Sequence, residues 1–393
     1  MKKYKWILPC LFLFLFTGCY NYRELSQIAL TSAIGIDKAE EGYKVVVQVL
    51  NTQKQGSDSN YSGSQPKFIL YEKTGPTLQH ALRTIILESP RRLYVNHINL
   101  LVISESVAKD GVEEILDFFA RNTEFRKDFL IVISKEDETE DVLQVLTPLE
   151  TLNSKNIRDS ISADAKFYGM ATEVTFEEML NSYLNKRTNI VLPSVAVIGN
   201  TEEGESEDNI KQSIPDATIQ LKPLAIFKDA KMIGYLTEEE SRVYNYVQNN
   251  VQNTIVTAAC SDQNKFTAEL ISVKTKLKPD IEKRKISIEV KANASIKEIS
   301  CGLDLLDPES ISILENKINA EVEKTIKNDI KKIIQTYKTD IFGFEELFYK
   351  TNPTAYKALK ERYKDELIEN LEFEVTSNVA LLTKGNIVKE ITR

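Results

Sequence analysis

The sequence is poor in the residues from which most catalytic and metal sites are built. Its 393 residues include only two histidines, four cysteines and one tryptophan. Neither His80 nor His97 has a cysteine nearby, and no His-Glu-x-x-His motif or zinc-ligand spacing occurs. The Gly-x-Ser-x-Gly turn of hydrolases and the Gly-x-x-x-x-Gly-Lys phosphate loop are also missing. We therefore predict a protein that is not an enzyme and that needs no metal or cofactor.

Long apolar runs are equally scarce. The ten residues 7–16 are apolar apart from Pro9, and three lysines precede them. This length suits the apolar region of a secretory signal, about 7 to 15 residues, whereas a membrane-spanning helix needs about 20. No other stretch approaches 18 apolar residues. We predict a cleaved signal peptide over residues 1–18, with the rest of the chain on the outer side of the membrane.

A cysteine stands where the signal ends. The residues Phe16-Thr17-Gly18-Cys19 resemble the lipobox of bacterial lipoproteins, although leucine is more usual in the place of Phe16. The resemblance implies cleavage between Gly18 and Cys19, a diacylglyceryl group on the Cys19 sulfur and an acylated new amino terminus. Each buried methylene contributes about 0.8 kcal/mol, so two or three acyl chains hold a protein essentially permanently on a membrane. The alternative is an ordinary cleaved signal followed by an unmodified cysteine.

The remaining composition is that of a globular chain. Hydrophobic residues make up 42% and charged residues 27% of the sequence. The formal net charge of -8 becomes more negative once the lysines of the signal are removed, so nucleic acid is not an expected partner. The length suits two or three domains.

Residues 19–195 are predicted to form an N-terminal α/β domain. Apolar alternation and helical periodicity follow each other along this segment, and this order is typical of helices that cover a sheet. Strands are predicted at 43–49, 68–71, 98–103 and 129–133, and helices at 77–87, 107–121 and 140–146.

Two further mixed domains are predicted. Residues 196–258 form a small middle α/β domain, with an acidic solvated loop at 201–209 and a helix whose Thr237 and Glu240 form a capping box. Residues 259–393 form an α+β domain with antiparallel strands and a long helix, since apolar residues recur every three or four positions from Ile311 to Tyr337. The predicted fold class is α/β and α+β, as three consecutive mixed domains.

Cys260 and Cys301 flank a predicted β-hairpin. A symmetric hairpin centred between residues 280 and 281 places the two cysteines opposite each other, where a disulfide could form. However, the apolar alternation slips between Leu270 and Ile271, which indicates a bulge that turns the cysteines to opposite faces. The alternative to a disulfide is two buried free thiols.

A basic cluster surrounds the same hairpin turn. It could contact anionic lipid headgroups or an acidic loop of a partner, at about 1 kcal/mol per basic residue. The alternative is a solvated hairpin tip whose lysines prevent aggregation. The cluster consists of Lys274, Lys276, Lys278, Lys283, Arg284 and Lys285.

Segments from residue 18 to residue 359 together resemble one family. They are GCYNYREL (18–25), Gly35-Ile36-Asp37, RRLYVNHINLLVISESVAKDGVEEILDFFARNTEFR (91–126), Leu192-Pro193, AIFKDAKMIGYLTEEES (225–241) and TDIFGFEELFYKTNPTAYKAL (339–359). In these segments and their order, the chain resembles the C-subunit lipoproteins of bacterial spore germinant receptors, the Ger(x)C family. Three residues depart from the family pattern: Tyr20 and Tyr356 replace tryptophan, and Glu345 replaces a frequent glycine.

The resemblance implies three α/β domains and a non-enzymatic subunit of a nutrient receptor. It implies a place on the outer face of the inner spore membrane, an anchor at Cys19 and assembly with integral membrane A-type and B-type subunits, to which nutrient recognition largely belongs. In its R-x-x-E-x-R segment, Arg121, Glu124 and Arg126 are expected to form a structural ion pair and helix cap, not a ligand site. The alternative function is a lipid-anchored solute-binding protein of a transporter.

Overall fold

The computed structural model describes residues 25–51, 66–150 and 152–383. The predicted signal peptide, Gly18 and Cys19 lie outside the described residues. Within this part of the chain, helices and strands are mixed and the strands form two sheets, which agrees with the predicted fold class. No helix among the described residues is long and apolar enough to cross a membrane.

The first sheet has nine strands in the order β3-β2-β1-β5-β6-β7-β8-β9, with β4 paired to β1. They are β1 (Ile28–Lys38), β2 (Tyr43–Leu50), β3 (Phe68–Gly75), β4 (Arg92–Tyr94), β5 (Leu100–Ser104), β6 (Leu130–Ser134), β7 (Val191–Gly199), β8 (Ala217–Lys228) and β9 (Lys231–Tyr235). The central strands β1, β5, β6 and β7 are parallel, and antiparallel strands flank them on both sides. The four strands predicted before residue 134 are confirmed, with ends that differ by a few residues.

Helices cover both faces of this sheet, because its parallel strands are apolar on both sides. They are α1 (Leu78–Thr84), α2 (Glu105–Asp110), α3 (Glu113–Arg121), α4 (Thr139–Gln144), α5 (Asn153–Phe167) and α6 (Phe176–Asn185). Side chains of α1, α2, α3 and α6 join one buried core, and those of α4 and α5 join the other. The single helix predicted over 107–121 is wrong, because Gly111, with a backbone φ of 132°, separates α2 from α3.

Residues 35–37 fix α4 against β1. The buried Asp37 carboxylate accepts hydrogen bonds from the Thr139 backbone N–H at 3.0 Å and from the Thr139 hydroxyl. A side chain at position 35 would collide with Thr139, so Gly35 permits the close approach. Burial is the main cause that raises the pKa of Asp37.

Residues 196–258 contribute strands to both sheets and do not form a sheet of their own. The predicted boundary at residue 195 falls inside β7, and β8 and β9 complete the first sheet. The acidic stretch at 201–209 is not a plain loop, because Asn200 and Ser206 cap two short helices. The two short helices are α7 (Thr201–Gly204) and α8 (Glu207–Lys211), and the next helix along the chain is α9 (Glu238–Val247).

Helix α9 begins as predicted. The Thr237 side chain accepts from the backbone N–H of Glu240 at 3.2 Å, and the Glu240 carboxylate accepts from the backbone N–H of Thr237 at 2.8 Å. Together these bonds satisfy two backbone donors at the start of the helix.

The second sheet has four strands in the order β10-β11-β12-β13. They are β10 (Asn253–Ala259), β11 (Lys265–Asp280), β12 (Lys285–Ile299) and β13 (Glu372–Thr383), and the helices between the last two strands are α10 (Pro308–Tyr337), α11 (Phe344–Thr351) and α12 (Pro353–Tyr363). The expectation of antiparallel strands fails for β13, which runs parallel to β12. The three helices form a crossover that returns the chain to the same end of the sheet.

The long helix α10 is confirmed, and it packs along the second sheet. Asp307 caps its first turn by accepting from the backbone N–H groups of Glu309 and Ser310, and Pro308 occupies the first helical position. Each fully buried Leu, Ile or Val contributes about 1.5–3 kcal/mol. The buried apolar residues of α10 are Leu314, Ile318, Val322, Ile326, Ile330, Ile333 and Ile334. The core around α10 includes Val191, Leu224 and Ile226 of the first sheet, so the two sheets pack together.

Candidate functional site: the cleft between the two sheets

A cleft of about 960 Å³ lies where the two sheets meet. Helices α5, α6 and α9 form one part of its wall, and α11 and β11 form the other. Polar side chains predominate in the wall, and amides are frequent among them. The amide residues are Asn185, Asn189, Gln248, Asn249, Asn250 and Gln252.

Asn189 joins two of the segments that carry the family resemblance. Its backbone N–H donates to the carbonyl of Asp340 at 2.8 Å, and its side-chain oxygen accepts from the backbone N–H of Asp229 at 2.9 Å. Asp229 lies in the turn between β8 and β9, and Asp340 lies between α10 and α11. Asn189 therefore connects the β8–β9 hairpin at the edge of the first sheet to the segment between α10 and α11, which belongs to the helical layer of the second sheet.

The Asp340 side chain organises the turn that forms the floor of the cleft. Its carboxylate accepts hydrogen bonds from the backbone N–H groups of Phe342 at 3.0 Å, Gly343 at 2.9 Å and Glu345 at 2.8 Å. Gly343, at φ 76°, caps the start of α11. Burial is the largest influence on Asp340 and raises the pKa of its carboxyl to about 7, although backbone N–H groups of the turn favour its charged form. The turn is thus fixed from inside by one side chain.

Arg187 connects two residues that line the cleft, Asn185 and Glu346. Its guanidinium pairs with the Glu346 carboxylate at 3.1 Å and lies 3.7 Å from the centre of the Tyr349 ring. A second donor contact reaches the Asn185 side chain at 2.8 Å. These contacts attach the loop after α6 to α11, so the width of the cleft is set by polar contacts between the two sides.

The cleft is lined mainly by hydrogen-bonding side chains. Neither histidine lines it, and no group of three His, Cys, Asp or Glu residues in the described part of the chain is arranged to hold a metal ion. The lining amides, hydroxyls and scattered charges can donate to and accept from polypeptide backbone or a polar solute. Several are already used in the structure, as when Gln248 donates to the Phe342 carbonyl at 2.9 Å.

The structure joins Cys260 and Cys301 by a disulfide, with their Cα atoms 5.8 Å apart. The hairpin that we expected to carry this pair, centred between residues 280 and 281, is wrong. Cys260 follows β10 instead of lying on the hairpin, and the β11–β12 turn covers 281–284 because Asp280 pairs with Lys285. The register shifts twice along this hairpin, and one shift, between Ile271 and Lys274, lies close to the predicted bulge.

Most of the basic cluster is engaged in local contacts. Lys278 pairs with Glu289 at 3.3 Å, Lys283 with Asp280 at 3.5 Å and Lys285 with Glu374 at 2.5 Å. The Arg284 guanidinium lies 4.9 Å from the centre of the Tyr363 ring. Lys274 and Lys276 project from β11 as exposed side chains. Contact of this surface with lipid or a partner stays a prediction.

Arg121, Glu124 and Arg126 do not pair with one another. Arg121 pairs with Asp117 one turn earlier in α3, Arg126 with Asp128, and Glu124 with Arg92 at 2.5 Å. The expectation of an ion pair within the motif is therefore wrong. The motif turns away from α3 at Asn122, so Glu124 instead joins this segment to β4.

Sequence reasoning missed most of the cleft. Helices α5 and α6 were not predicted, and neither Asn189 nor Arg187 was singled out. The capping-box pattern of Thr175 and Glu178 was the available signal for α6, since each side chain accepts from the other residue's backbone N–H. Nothing in the local sequence distinguishes Asn189, because its partners lie 40 and 151 residues away.

Two family models match the chain in succession. Residues 21–197 match the spore germination protein N-terminal domain, and residues 222–385 match the domain described as spore germination B3/GerAC like, C-terminal.

Relatives of similar length also match. Spore germination protein KC of Bacillus subtilis (strain 168) is 28% identical over 387 residues, which cover 96% of this chain and 95% of that protein. Spore germination protein GerQC of Bacillus cereus is 21% identical over 97% of this chain and 99% of its own length. The crystal structure of the GerBC protein superposes with a TM-score of 0.55 over 89% of this chain and 96% of that one, at 17% identity, which shows a shared fold.

Proposed function

This chain belongs to the Ger(x)C family of spore germination proteins, and from that premise we propose that it is a non-enzymatic, lipid-anchored subunit of a nutrient germinant receptor. It is held at Cys19 on the outer face of the inner spore membrane and is assembled with integral membrane A-type and B-type subunits. The observation that carries the proposal is the succession of two family domains over nearly all of the chain after Cys19.

The position of the first family domain supports the anchor. The match begins at residue 21, two residues after Cys19, and the first strand of the described part begins at Ile28, nine residues after Cys19. A short connection keeps the first sheet close to the membrane surface, since n residues span at most about 3.6 Å × n. In this arrangement the chain meets membrane-embedded partners without crossing the bilayer itself.

We place the contact with the membrane subunits in the cleft between the two sheets. The segments at 225–241 and 339–359, which carry the family resemblance, meet there through Asn189. A wall rich in amides and hydroxyls suits a polypeptide loop, whose backbone offers both donors and acceptors. Lys350 lies at this wall with its side chain 71% exposed and only a weak i,i+4 pair to Glu346 at 3.4 Å.

The test of assembly is purification of the tagged chain from spores in mild detergent, followed by identification of the membrane proteins that remain bound. We expect the A-type and B-type subunits with the wild-type chain, and reduced recovery with Lys350→Glu. Lys331→Glu is the matched control, because it makes the same change at an exposed position of α10 outside the cleft. Recovery of no integral membrane protein with the wild-type chain contradicts assembly, and equal recovery with both variants removes the cleft from the proposal.

One observation favours the alternative of a solute-binding protein. The cleft volume of about 960 Å³ lies within the range of about 300–1,000 Å³ typical of ligand sites. Calorimetry of the purified protein with amino acids and sugars separates the two functions. Tight binding that is lost in Gln252→Ala, a change in an exposed cleft residue, supports the alternative. No binding in the cleft favours the assembly subunit.

The basic cluster is expected to contribute little to membrane binding. Four of its six residues have local partners, so at most a weak, salt-sensitive attraction to anionic headgroups is expected from Lys274 and Lys276. We expect Lys274→Gln with Lys276→Gln to leave the amount of protein in the membrane fraction unchanged. A clear loss from that fraction identifies the turn as a second membrane contact.

A further inference from the structure

A second, smaller cavity lies apart from the cleft, between α9, α10 and β10. Its volume is about 280 Å³, close to the lower end of the range for small-molecule sites. The walls are stripes of neighbouring positions on the two helices, as expected for side chains three or four residues apart. Glu239, Arg242, Val243 and Tyr246 contribute from α9, and Val322 and Ile326 are among those from α10.

Two hydrogen-bond donors at this cavity are buried without acceptors. Tyr246 is 7% exposed, and its hydroxyl has no partner among the described residues. The Nε–H of Arg242 is likewise buried and unpaired, and another guanidinium nitrogen reaches the Ile255 carbonyl only at 3.5 Å. A buried donor without an acceptor costs about 1–3 kcal/mol, so such groups usually have a partner.

The two residues that carry these donors are neighbours on α9. Arg242 and Tyr246 are four residues apart in α9, so both side chains lie on the same face of the helix. The Arg242 guanidinium also lies over the ring of Tyr168, 5.2 Å from its centre, which fixes one side of the group. A planar guanidinium and a phenol hydroxyl on one face of a helix can both donate to one carboxylate.

The rest of the wall determines what such a ligand looks like. Val243, Val256, Val322 and Ile326 offer an apolar surface. Glu239 and Glu321 also line the cavity, and Glu321 lies 3.8 Å from Lys324. Glu239 lies three residues before Arg242 on the same face of α9, so the charges of Glu239 and Glu321 oppose an anion, and a bound carboxylate depends on the donors of Arg242 and Tyr246.

We propose that this cavity binds a small monocarboxylate with a compact apolar body, whose carboxylate accepts from Arg242 and Tyr246 and whose apolar part lies against α10. The site is separate from the cleft proposed for partner contact. Its existence does not depend on the anchor at Cys19 or on receptor assembly.

The test is calorimetric titration of the full-length protein in detergent with 3-phenylpropanoate, and with 3-phenylpropanamide as the uncharged probe of the same shape. We expect saturable binding of the carboxylate and at least about tenfold weaker binding of the amide, because a hydrogen bond to a charged group contributes about 1.5–3 kcal/mol. Tyr246→Phe and Arg242→Gln are each expected to weaken binding by about tenfold or more. Tyr246→Phe removes a hydroxyl that has no partner, so the fold is retained in that variant.

Tyr244→Phe is the matched control, because it makes the same change in the same helix but lines the cleft instead of this cavity. Its affinity for 3-phenylpropanoate is expected to equal that of the wild type. The proposal is overturned if the wild type shows no saturable binding, which leaves a cavity filled by water. It is equally overturned if the amide binds as tightly as the acid, or if Tyr246→Phe has no larger effect than Tyr244→Phe.

Discussion

The hydroxyl of Tyr356 donates a hydrogen bond to the carboxylate of Glu345 at 2.7 Å, and both side chains are buried. These are two of the positions at which the chain departs from the family pattern, where glycine and tryptophan are usual. Lys360 completes the group by pairing with the same carboxylate at 2.9 Å. A glycine has no side-chain acceptor and a tryptophan has no hydroxyl, so we expect the two departures to depend on each other.

We therefore expect the substitutions Glu345→Gly and Tyr356→Trp to be coupled. Glu345→Gly leaves the Tyr356 hydroxyl and Lys360 without their acceptor, and it places glycine in the first turn of α11, so we expect a loss of about 2–4 kcal/mol in the free energy of unfolding. Tyr356→Trp leaves the buried carboxylate with one donor fewer. Denaturant unfolding of both single variants and the double variant measures the coupling, which we expect to be about 1–3 kcal/mol. Additive losses would show that the two departures are independent.

Strand β13 is an outer strand whose free N–H groups are covered by α10. The Glu323 carboxylate accepts from Ser377 at 2.7 Å, the Asn319 side chain from Val379 at 2.9 Å, and the Glu315 carboxylate from Leu381 at 2.7 Å. The acceptors are four residues apart on one face of the helix, and the donors are two apart along one side of the strand. Capping of this kind blocks the addition of a further strand.

Removing the acceptors is expected to expose this edge. The double variant Asn319→Ala with Glu323→Ala should lower the free energy of unfolding by about 2–4 kcal/mol and cause association that increases with protein concentration. Glu321→Ala is the control, because it removes a carboxylate from the same helix without touching β13. Sedimentation velocity measures the association. A double variant that stays monomeric and as stable as the control contradicts a protective role.

Asp329 provides a prediction about pH. One oxygen of its carboxyl is buried without a partner, and burial, followed by the charges of Glu239 and Glu240, raises the pKa of Asp329 to about 6 from 3.8. Lys332 and Arg242 act in the opposite direction. Because the folded state holds this proton more tightly than the unfolded state, the contribution of Asp329 to stability is greatest below pH 4 and is lost as pH rises to about 6.

Asp329→Asn should remove this dependence. Solvent screens the partly exposed group, so we expect the variant to gain only about 1 kcal/mol relative to the wild type between pH 4 and pH 7. Urea unfolding of both proteins at the two pH values gives the difference. If the variant's gain in the free energy of unfolding over the wild type stays constant, or decreases towards pH 7, the raised pKa of Asp329 is contradicted.

The disulfide between Cys260 and Cys301 closes a loop with a sequence separation of 41. Closing a loop of this length reduces the entropy of the unfolded chain and contributes about 2–4 kcal/mol. We expect replacement of both cysteines by alanine to cost that amount in denaturant unfolding. Reducing agent should lower the stability of the wild type and leave the double variant unchanged. Equal stability of the two proteins under oxidising conditions would show that the bond does not form.

Local patterns predicted the elements whose stability is decided locally. The capping box of Thr237 and Glu240 fixes the start of α9, and the apolar stripe that begins at Ile311 gives α10 its length. Signals of this kind involve residues at most a few turns apart, so a single sequence contains them. Such local signals failed at Gly111. The apolar periodicity continues through this glycine and predicts one helix, but its backbone φ of 132° separates α2 from α3.

The pairing of strands and side chains that are distant in the sequence was not predicted, because it is decided by packing between distant segments. The side of the first sheet to which β8 and β9 attach is set by contacts with β7, and the parallel pairing of β13 depends on three intervening helices. Asn189 acquires its role only when Asp229 and Asp340 are brought to it. The lipid-anchor motif and the family segments needed no such packing, since they are read directly from residue order.

Cys19→Ala tests the central claim most directly. The variant and the wild type are expressed at equal levels, membranes are separated from soluble protein, and the mass of the mature amino-terminal peptide is determined. We expect the wild type in the membrane fraction with acyl chains on Cys19, and the variant in the soluble fraction with a retained fold. A wild-type chain that carries no lipid, or a variant that partitions into the membrane as fully as the wild type, contradicts the account.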